Sequence, residues 1–130
     1  MQIDHRIGRL NRLLNQLLIS ENTMVIFTSD NGCSPQAKFE VLEKKGHDPS
    51  GIFRGHKADV FEGGHRVPFI VKWPKKIQAG SASNKTICTT DLLATCAEIL
   101  GKRLSDNEGE DSFSMLPVFS KETRKTGKLR

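Results

Sequence analysis

The sequence lacks several features that would place it in a class of protein at once. Its 130 residues include three cysteines, too few for the disulfide framework of a small secreted domain. Its apolar runs fall well short of the ~20 residues that a membrane-spanning helix needs. Residues 1–11 carry charges and no long apolar run, so we expect no signal peptide in the sequence as written. No internal repeat occurs, and 36% hydrophobic with 27% charged residues excludes a collagen, a coiled-coil rod and a wholly disordered chain.

The net charge of +5 is concentrated at one end of the chain. Residues 121–130, KETRKTGKLR, contain five basic side chains and one acidic side chain, and the rest of the chain is close to neutral. A basic patch on a folded face would favour nucleic acid as a partner, whereas a basic end without aromatic residues is typical of a solvated segment. We therefore expect a folded region over residues 1–120, a basic polar end over residues 121–130 and no nucleic-acid partner.

Hydrophobic periodicity predicts two helices and two strands. Residues 4–19 carry apolar side chains at spacings of three and four, the pattern of an amphipathic helix, with Asp4 as its N-cap. Residues 23–29 form a continuous apolar run, which is typical of a strand buried on both faces of a parallel sheet. Residues 67–73 predict a second strand, and residues 90–100 predict a second helix.

The second predicted helix has signals at both of its ends. Thr90 can cap it, Asp91 suits the positive end of its dipole, and Gly101 suits its C-terminal stop. Cys88 and Cys96, one of them on this helix, are expected to be buried apolar side chains.

The order of helix, strand, long loop, strand and helix indicates an α/β fold. Two parallel strands do not make a stable sheet alone, so we expect this chain to supply part of a larger mixed or parallel sheet flanked by helices. The loop between the strands has roughly 35 residues, with a possible short helix over residues 38–45, and loops of this length are usually functional. Residues 103–112 are polar and acidic, as in a surface loop.

Two places in the sequence hold residues that could carry chemistry. Asp30 and Asn31 follow the first predicted strand, at the edge where open α/β sheets bind ligands, and their oxygens suit Ca²⁺ or Mg²⁺. Taken alone, the pair fits a simple Asx turn better. Lys57 could place its charge on an anionic oxygen or lie in a charged surface loop. Gly63 and Gly64 would allow a close approach of backbone.

These residues stand in runs that resemble the sulfatase family. TMVIFTSDNG at residues 23–32 is followed by RGHKADVFEGGHRVPFIVKWP at residues 54–74, and the DNG, RGHK, EGG and RVP motifs together are specific. The resemblance continues, in the family's order, in DHRIGRLNRLLNQL before the first run and in TTDLLATCAEILG and EDSFSMLP after the second. It covers nearly the whole chain, from about Asp4 to Pro117.

The resemblance implies an alkaline-phosphatase-like α/β fold and the hydrolysis of sulfate esters by a hydrated formylglycine made from Cys or Ser. Asp30 and Asn31 match the second half of the family's Ca²⁺ site, and Lys57 matches the lysine that contacts the sulfate oxygens. Together the cation and the ammonium would neutralise the charge that develops in the transition state. The positions that match supporting residues of the loop are Glu62, Gly63, Gly64 and Arg66. A sulfated small molecule or glycan is the implied substrate, and a periplasmic, extracellular or lysosomal location is implied by the family.

The sequence also departs from the family's pattern. Cys33-Ser34-Pro35 mimics the start of the Cys/Ser-x-Pro-x-Arg motif of the nucleophile, but Ala37 stands where the arginine is required, so Cys33 is rejected as the formylglycine precursor. The paired aspartates that open the metal site are absent as well. The chain is therefore expected to be a fragment from the later part of a sulfatase catalytic domain, inactive alone and completed by an upstream segment. Two alternatives remain open: a phosphodiesterase or phosphonate hydrolase of the same superfamily, and a non-catalytic binding module.

Overall fold

The computed structural model describes residues 2–119, which fall into two compact units. The helical unit comprises residues 2–23 and 73–119, and the sheet unit comprises residues 24–72. The predicted basic segment, residues 121–130, lies outside the described residues. Within residues 2–119, none of the helices is long and apolar enough to cross a membrane.

Both predicted helices and both predicted strands form, each within three residues of its expected centre. The elements are α1 (Gln2–Gln16), β1 (Val25–Thr28), α2 (Phe39–Glu43), α3 (Glu62–His65), β2 (Phe69–Lys72), α4 (Leu92–Ile99) and α5 (Leu116–Phe119), with 3-10 turns at Ser20–Asn22, Pro35–Ala37 and Thr89–Asp91. The sequence patterns did not predict α3 and α5. The assignment of Asp4 as an N-cap is wrong, because α1 begins at Gln2 and Asp4 lies in its first turn. A carboxylate there still favours the helix by facing the positive end of its dipole.

The start of α4 is held by a carboxylate and not by the threonine predicted to cap it. Asp91 is buried, and its two oxygens accept hydrogen bonds from the backbone N–H of Cys88 at 2.8 Å and of Phe113 at 2.9 Å. Thr90 lies inside the 3-10 turn Thr89–Asp91 that precedes α4, and it is not the N-cap of that helix. At the other end the predicted stop is confirmed, since Gly101 adopts a left-handed φ of 63° and its N–H donates to the Glu98 carbonyl at 3.1 Å.

The buried residue of α4 is a polar one, Thr95, and the expectation that the two cysteines are buried is wrong. Thr95 is fully buried, and its hydroxyl donates to the Asp91 carbonyl at 2.6 Å and accepts from the Met115 N–H at 2.8 Å. Cys88 and Cys96 are both exposed. Residues four apart on a helix share a face, so the turn that buries Thr95 above Asp91 points Cys96 away. The apolar side chains buried among residues 2–119 are Trp73, Met115 and Phe119.

The sheet unit is built on one antiparallel pair of strands. β1 and β2 pair with Val25 opposite Lys72 and Thr28 opposite Phe69. The expectation of parallel strands is therefore wrong for this pair, because an apolar run reports burial and carries no information on direction. Burial on both faces is also not found among residues 2–119: all four residues of β1 are half-buried, and β2 alternates half-buried with exposed residues. What is confirmed is a mixed helix and strand architecture.

Candidate functional site

The antiparallel register brings the two sequence motifs of the sheet unit to one end of the sheet. Because Thr28 ends β1 opposite Phe69, which starts β2, the residues after β1 lie beside those before β2. The residues after β1 are Ser29–Gly32, which contain Asp30 and Asn31. The residues before β2 are 62–68, which contain the EGG and RVP motifs. A parallel pair would have placed these two groups at opposite ends.

Gly32 allows the two groups to touch backbone to backbone, and Gly63 and Gly64 allow the second group to touch the backbone of residues 54–59. The N–H of Gly32 donates to the Gly64 carbonyl at 2.8 Å. A Cβ on Gly32 would overlap the Gly63 carbonyl oxygen and lie 3.2 Å from the carbonyl carbon of Gly64. A Cβ on Gly63 would likewise lie 2.7 Å from the Arg54 carbonyl oxygen, which accepts a hydrogen bond from the Gly63 N–H at 2.8 Å. The predicted close approach at Gly63 and Gly64 is confirmed, and Gly32 is part of it.

The backbone of Lys57 contacts the loop that follows β1. Its N–H donates to the Cys33 carbonyl at 2.9 Å, two residues beyond Asn31 in the chain. Its side chain is exposed, as is that of Asp30. The loop carrying the predicted sulfate ligand is therefore tied by a hydrogen bond to the loop carrying the predicted metal ligands. That proximity is a result of the tertiary structure, because the two loops are separated by more than 20 residues of sequence.

The side chains of Asp30 and Asn31 offer hard oxygens to a cation. The Asn31 amide is oriented by its nitrogen, which donates to the Gly32 carbonyl at 3.0 Å. Ser29 adds a second local bond, from its hydroxyl to the Asn31 carbonyl at 2.9 Å. Within residues 2–119 neither the Asp30 carboxylate nor the Asn31 side-chain oxygen has a hydrogen-bond partner or an ion-pair partner. Two such donors fit part of a calcium site, which takes about 6–8 oxygens. Over the same stretch of chain, no group of three His, Cys, Asp or Glu residues could hold a metal.

The charged residues around α3 contact one another and the aromatic rings of the same loop. Arg66 donates to Glu62 at 2.6 Å, and its guanidinium lies 4.9 Å from the centre of the Phe53 ring. Arg54 lies over the Phe61 ring, 3.8 Å from its centre. These groups are thus partnered within the loop, and the supporting role of Glu62 and Arg66 stays a prediction.

An open cavity of about 420 Å³ adjoins the Asn31 side of this site. It is lined by polar groups that include Asn31, Ser34, Ser50 and Arg66, with the ring of Phe53 among the apolar ones. Asp30 and Lys57 do not line it. Of the predicted ligand residues, Asn31 therefore borders the cavity, and Asp30 and Lys57 lie outside its lining.

The sequence patterns missed Asp59, which forms the turn that contains Lys57. Its carboxylate accepts a hydrogen bond from the His56 N–H at 3.0 Å. The sequence offered one signal for Asp59: an acidic residue two positions after a lysine in a glycine-rich loop. The same pattern is equally typical of a solvated surface charge, so it does not predict a structural role. Only the folded loop shows that this carboxylate faces inward to the backbone.

Comparisons with known proteins place these motifs in a family. A family model described as Sulfatase matches residues 1–102. An N-acetylgalactosamine-6-O-sulfatase of Bacteroides thetaiotaomicron is 38% identical over 118 residues, which cover 86% of this chain and 22% of that protein. The steryl-sulfatase of Homo sapiens is 31% identical over 128 residues, covering 96% of this chain and 21% of that protein.

Solved structures agree with the sequence comparisons. A structure from work on glycosaminoglycan metabolism by Bacteroides thetaiotaomicron superposes with a TM-score of 0.81 at 36% identity, covering 91% of this chain and 25% of that one. Ps i-CgsB in complex with k-i-k-neocarrahexaose superposes with a TM-score of 0.74 at 30% identity, covering 90% and 24%. The chain thus spans about a fifth of the length of the curated relatives and about a quarter of the solved structures, which confirms that it corresponds to one part of their fold.

Proposed function

Because the chain belongs to the sulfatase family, we propose that the protein carrying it hydrolyses sulfate esters and that this segment supplies part of the active site. The observation that carries the proposal is the backbone contact between two loops. The hydrogen bonds from Gly32 to Gly64 and from Lys57 to Cys33 hold the DNG loop against the RGHK and EGG loop. Hydrolysis of a sulfate ester needs positive charge on the sulfate oxygens, and these loops carry the groups that would supply it.

Lys57 is the proposed sulfate-binding residue. Its ammonium is a compact charge with three donors on a flexible stem, which suits contact with oxygens whose charge rises during the reaction. Its backbone is fixed by the bond to Cys33 while its side chain is exposed, so the ammonium is free to meet a substrate. Burial of this charge against the sulfate would strengthen the interaction when the substrate excludes water.

Asp30 and Asn31 are the proposed calcium ligands of this segment. Their side-chain oxygens are hard donors without protein partners in the described part of the chain, and the amide is already oriented by its bond to Gly32. A calcium ion bound there would polarise the sulfate oxygens as a Lewis acid. The two residues would hold the cation, and the remaining oxygens would come from other segments of the fold.

The nucleophile is proposed to lie outside this chain. Cys33 is half-buried, its motif lacks the arginine at position 37, and its carbonyl is engaged by the Lys57 N–H. A formylglycine on an upstream segment would complete the site, and without it this chain alone should show no turnover. That upstream segment is then the necessary polypeptide partner.

The proposed substrate is a sulfated small molecule or glycan. Of the similar proteins, one is named an N-acetylgalactosamine-6-O-sulfatase and another a steryl-sulfatase. The names therefore include both a sugar sulfate and a sterol sulfate as substrates of relatives. By analogy with the family, the compartment would be periplasmic, extracellular or lysosomal. Phosphodiester hydrolysis by a related enzyme and binding without catalysis are the outcomes against which the proposal is tested.

The first experiment is to sequence the transcript upstream of Met1 and to assay the longest encoded polypeptide. An in-frame Cys/Ser-x-Pro-x-Arg motif preceded by paired aspartates is the expected finding. Turnover of an aryl sulfate should then fall roughly 100- to 1000-fold in kcat/KM for Lys57→Ala, the cost of removing one donor to a developing oxyanion. Lys38→Ala, which changes an exposed lysine of the same unit, is the matched control and should leave turnover unchanged. Activity on phosphodiesters but not on sulfate esters, or none on either, would contradict the proposal.

A further inference from the structure

Lys57 lies in a turn whose backbone is strained. The turn runs from His56 to Asp59 and is closed by the Asp59 N–H, which donates to the His56 carbonyl at 2.9 Å. Ala58, at its third position, adopts a φ of 77°. A turn with positive φ at that position normally places glycine there, because a Cβ is disfavoured in the left-handed region. A strained residue of this kind persists only where its surroundings over-determine the conformation.

The Asp59 side chain supplies the extra constraint. Its Oδ2 accepts the His56 N–H at 3.0 Å, so residues 56 and 59 are joined by a second hydrogen bond besides the backbone one. The same oxygen lies 3.5 Å from Nδ1 of the His56 ring. That nitrogen lies 2.9 Å from the Lys57 carbonyl oxygen, and the ring packs on Phe39 with 5.5 Å between ring centres. The carboxylate thus holds the peptide group that precedes His56, and the imidazole holds the peptide group that follows Lys57.

Two glycines fix where this turn sits. A Cβ on Gly64 would lie 2.8 Å from the His56 carbonyl oxygen, and a Cβ on Gly55 would lie 2.9 Å from Oδ2 of Asp59. The turn is therefore in direct contact with the backbone of the EGG segment, which in turn bonds to the loop of Asn31. In this position the Lys57 N–H meets the Cys33 carbonyl.

From this geometry we propose that Asp59 is a positioning residue: it holds the strained turn that places Lys57 beside the Asn31 loop. The inference rests on the proposed function, since the value of the position depends on Lys57 binding sulfate. Asp59 touches neither substrate nor metal in this account, and it acts through the backbone of His56 and Lys57.

The test compares Asp59→Ala with Asp59→Asn in the longest encoded polypeptide. Amide hydrogen exchange at His56 and Lys57 should become roughly tenfold faster in Asp59→Ala, as expected when one hydrogen bond to a carboxylate is lost. KM for an aryl sulfate and the inhibition constant of free sulfate should rise together by roughly tenfold, with a smaller change in kcat. Asp59→Asn keeps an acceptor oxygen and should stay within about twofold of the unchanged protein on all three readouts.

Asp48→Ala is the matched control, because it removes a carboxylate of the same kind from another turn of the same unit. Asp48 accepts hydrogen bonds from the N–H groups of Ser50 and Gly51, both at 3.0 Å. Its loss should speed exchange at those two amides and leave the Lys57 amide, KM and sulfate inhibition unchanged. A general loosening of the unit would instead move both sets of amides in both variants.

A second variant tests the strain directly and does not depend on how well Asp59→Ala folds. Glycine adopts positive φ without a Cβ penalty, so Ala58→Gly should form the turn with less need of Asp59. The effect of Asp59→Ala on the Lys57 amide should therefore be smaller in the Ala58→Gly background. Equal effects in both backgrounds would overturn the role of Asp59 in holding that turn.

The outcomes separate this inference from the proposed function. Faster exchange at Lys57 together with raised KM, both restored in Asp59→Asn, is the expected result. Exchange at Lys57 that does not respond to Asp59→Ala would overturn the positioning role, whatever the kinetics. Faster exchange with unchanged KM and sulfate inhibition would uphold the effect of Asp59 on the backbone and overturn sulfate binding by Lys57.

Discussion

Replacement of Gly32 by alanine should separate the two loops that form the candidate site. Gly32 follows Asn31 directly, and its N–H donates to the Gly64 carbonyl at 2.8 Å. The added Cβ would overlap the Gly63 carbonyl oxygen and lie 2.8 Å from the Gly63 carbonyl carbon. All of the atoms it meets belong to backbone, so no side chain can rotate away to make room.

The expected cost follows from these contacts. Overpacking a tightly fitted position costs about 1–3 kcal/mol. Displacing the DNG loop also breaks the bond from Gly32 to Gly64, which adds about 1 kcal/mol. The sum is about 3 kcal/mol in the free energy of opening this contact, which corresponds to roughly 100-fold faster amide exchange. The amides that should respond are those of Gly32 and Lys57, because each donates to a carbonyl across this contact.

Hydrogen exchange measured residue by residue is the assay, with Gly46→Ala as the control. Gly46 belongs to the same unit and has a φ of 76°, and nothing lies within 4 Å of the Cβ that alanine would add. Its replacement costs only backbone strain, about 1 kcal/mol, and should leave the amides of the candidate site unchanged. The reasoning is refuted if Gly32→Ala protects those amides as well as Gly46→Ala does.

Two further predictions concern the helical unit. Thr95→Val should lower the free energy of unfolding by about 1–3 kcal/mol, because the buried Met115 N–H loses its acceptor, while Thr95→Ser keeps the hydroxyl and should cost less. Urea unfolding followed by Trp73 fluorescence measures both, and a valine variant as stable as the serine variant would contradict the hydrogen bond. A hydrogen bond from the Thr90 side chain is the main cause that lowers the pKa of the exposed Cys88 thiol, so its thiolate forms at lower pH than that of an ordinary cysteine. Thr90→Val should therefore shift the pH profile of Cys88 alkylation upward, as followed by mass spectrometry, and an unchanged profile would rule out that cause.

Local pattern was sufficient to predict the main elements. The apolar spacing of residues 4–19 predicts α1, and the apolar runs at 23–29 and 67–73 predict β1 and β2, because helices and strands repeat their side-chain positions with different periods. Gly101 could be assigned as a helix stop for a similar reason, since its left-handed φ is a property of a single residue. The family, too, followed from short runs of sequence such as DNG and RGHK.

Pairing and contact could not be predicted in this way. The antiparallel direction of β1 and β2, the burial of Asp91 and Thr95 in place of cysteine, and the inward-facing Asp59 all depend on groups that meet across the fold. The hydrogen bond from the Lys57 N–H to the Cys33 carbonyl joins two loops that are far apart in sequence. The residue pattern of each loop alone does not predict which other loop it contacts. The amino-acid sequence determined which residues are candidates for the proposed sulfate-binding site. The tertiary structure decided that their loops lie together: the missing Cβ of Gly32 lets the DNG loop touch the EGG segment, and the missing Cβ atoms of Gly63 and Gly64 let that segment touch residues 54–59.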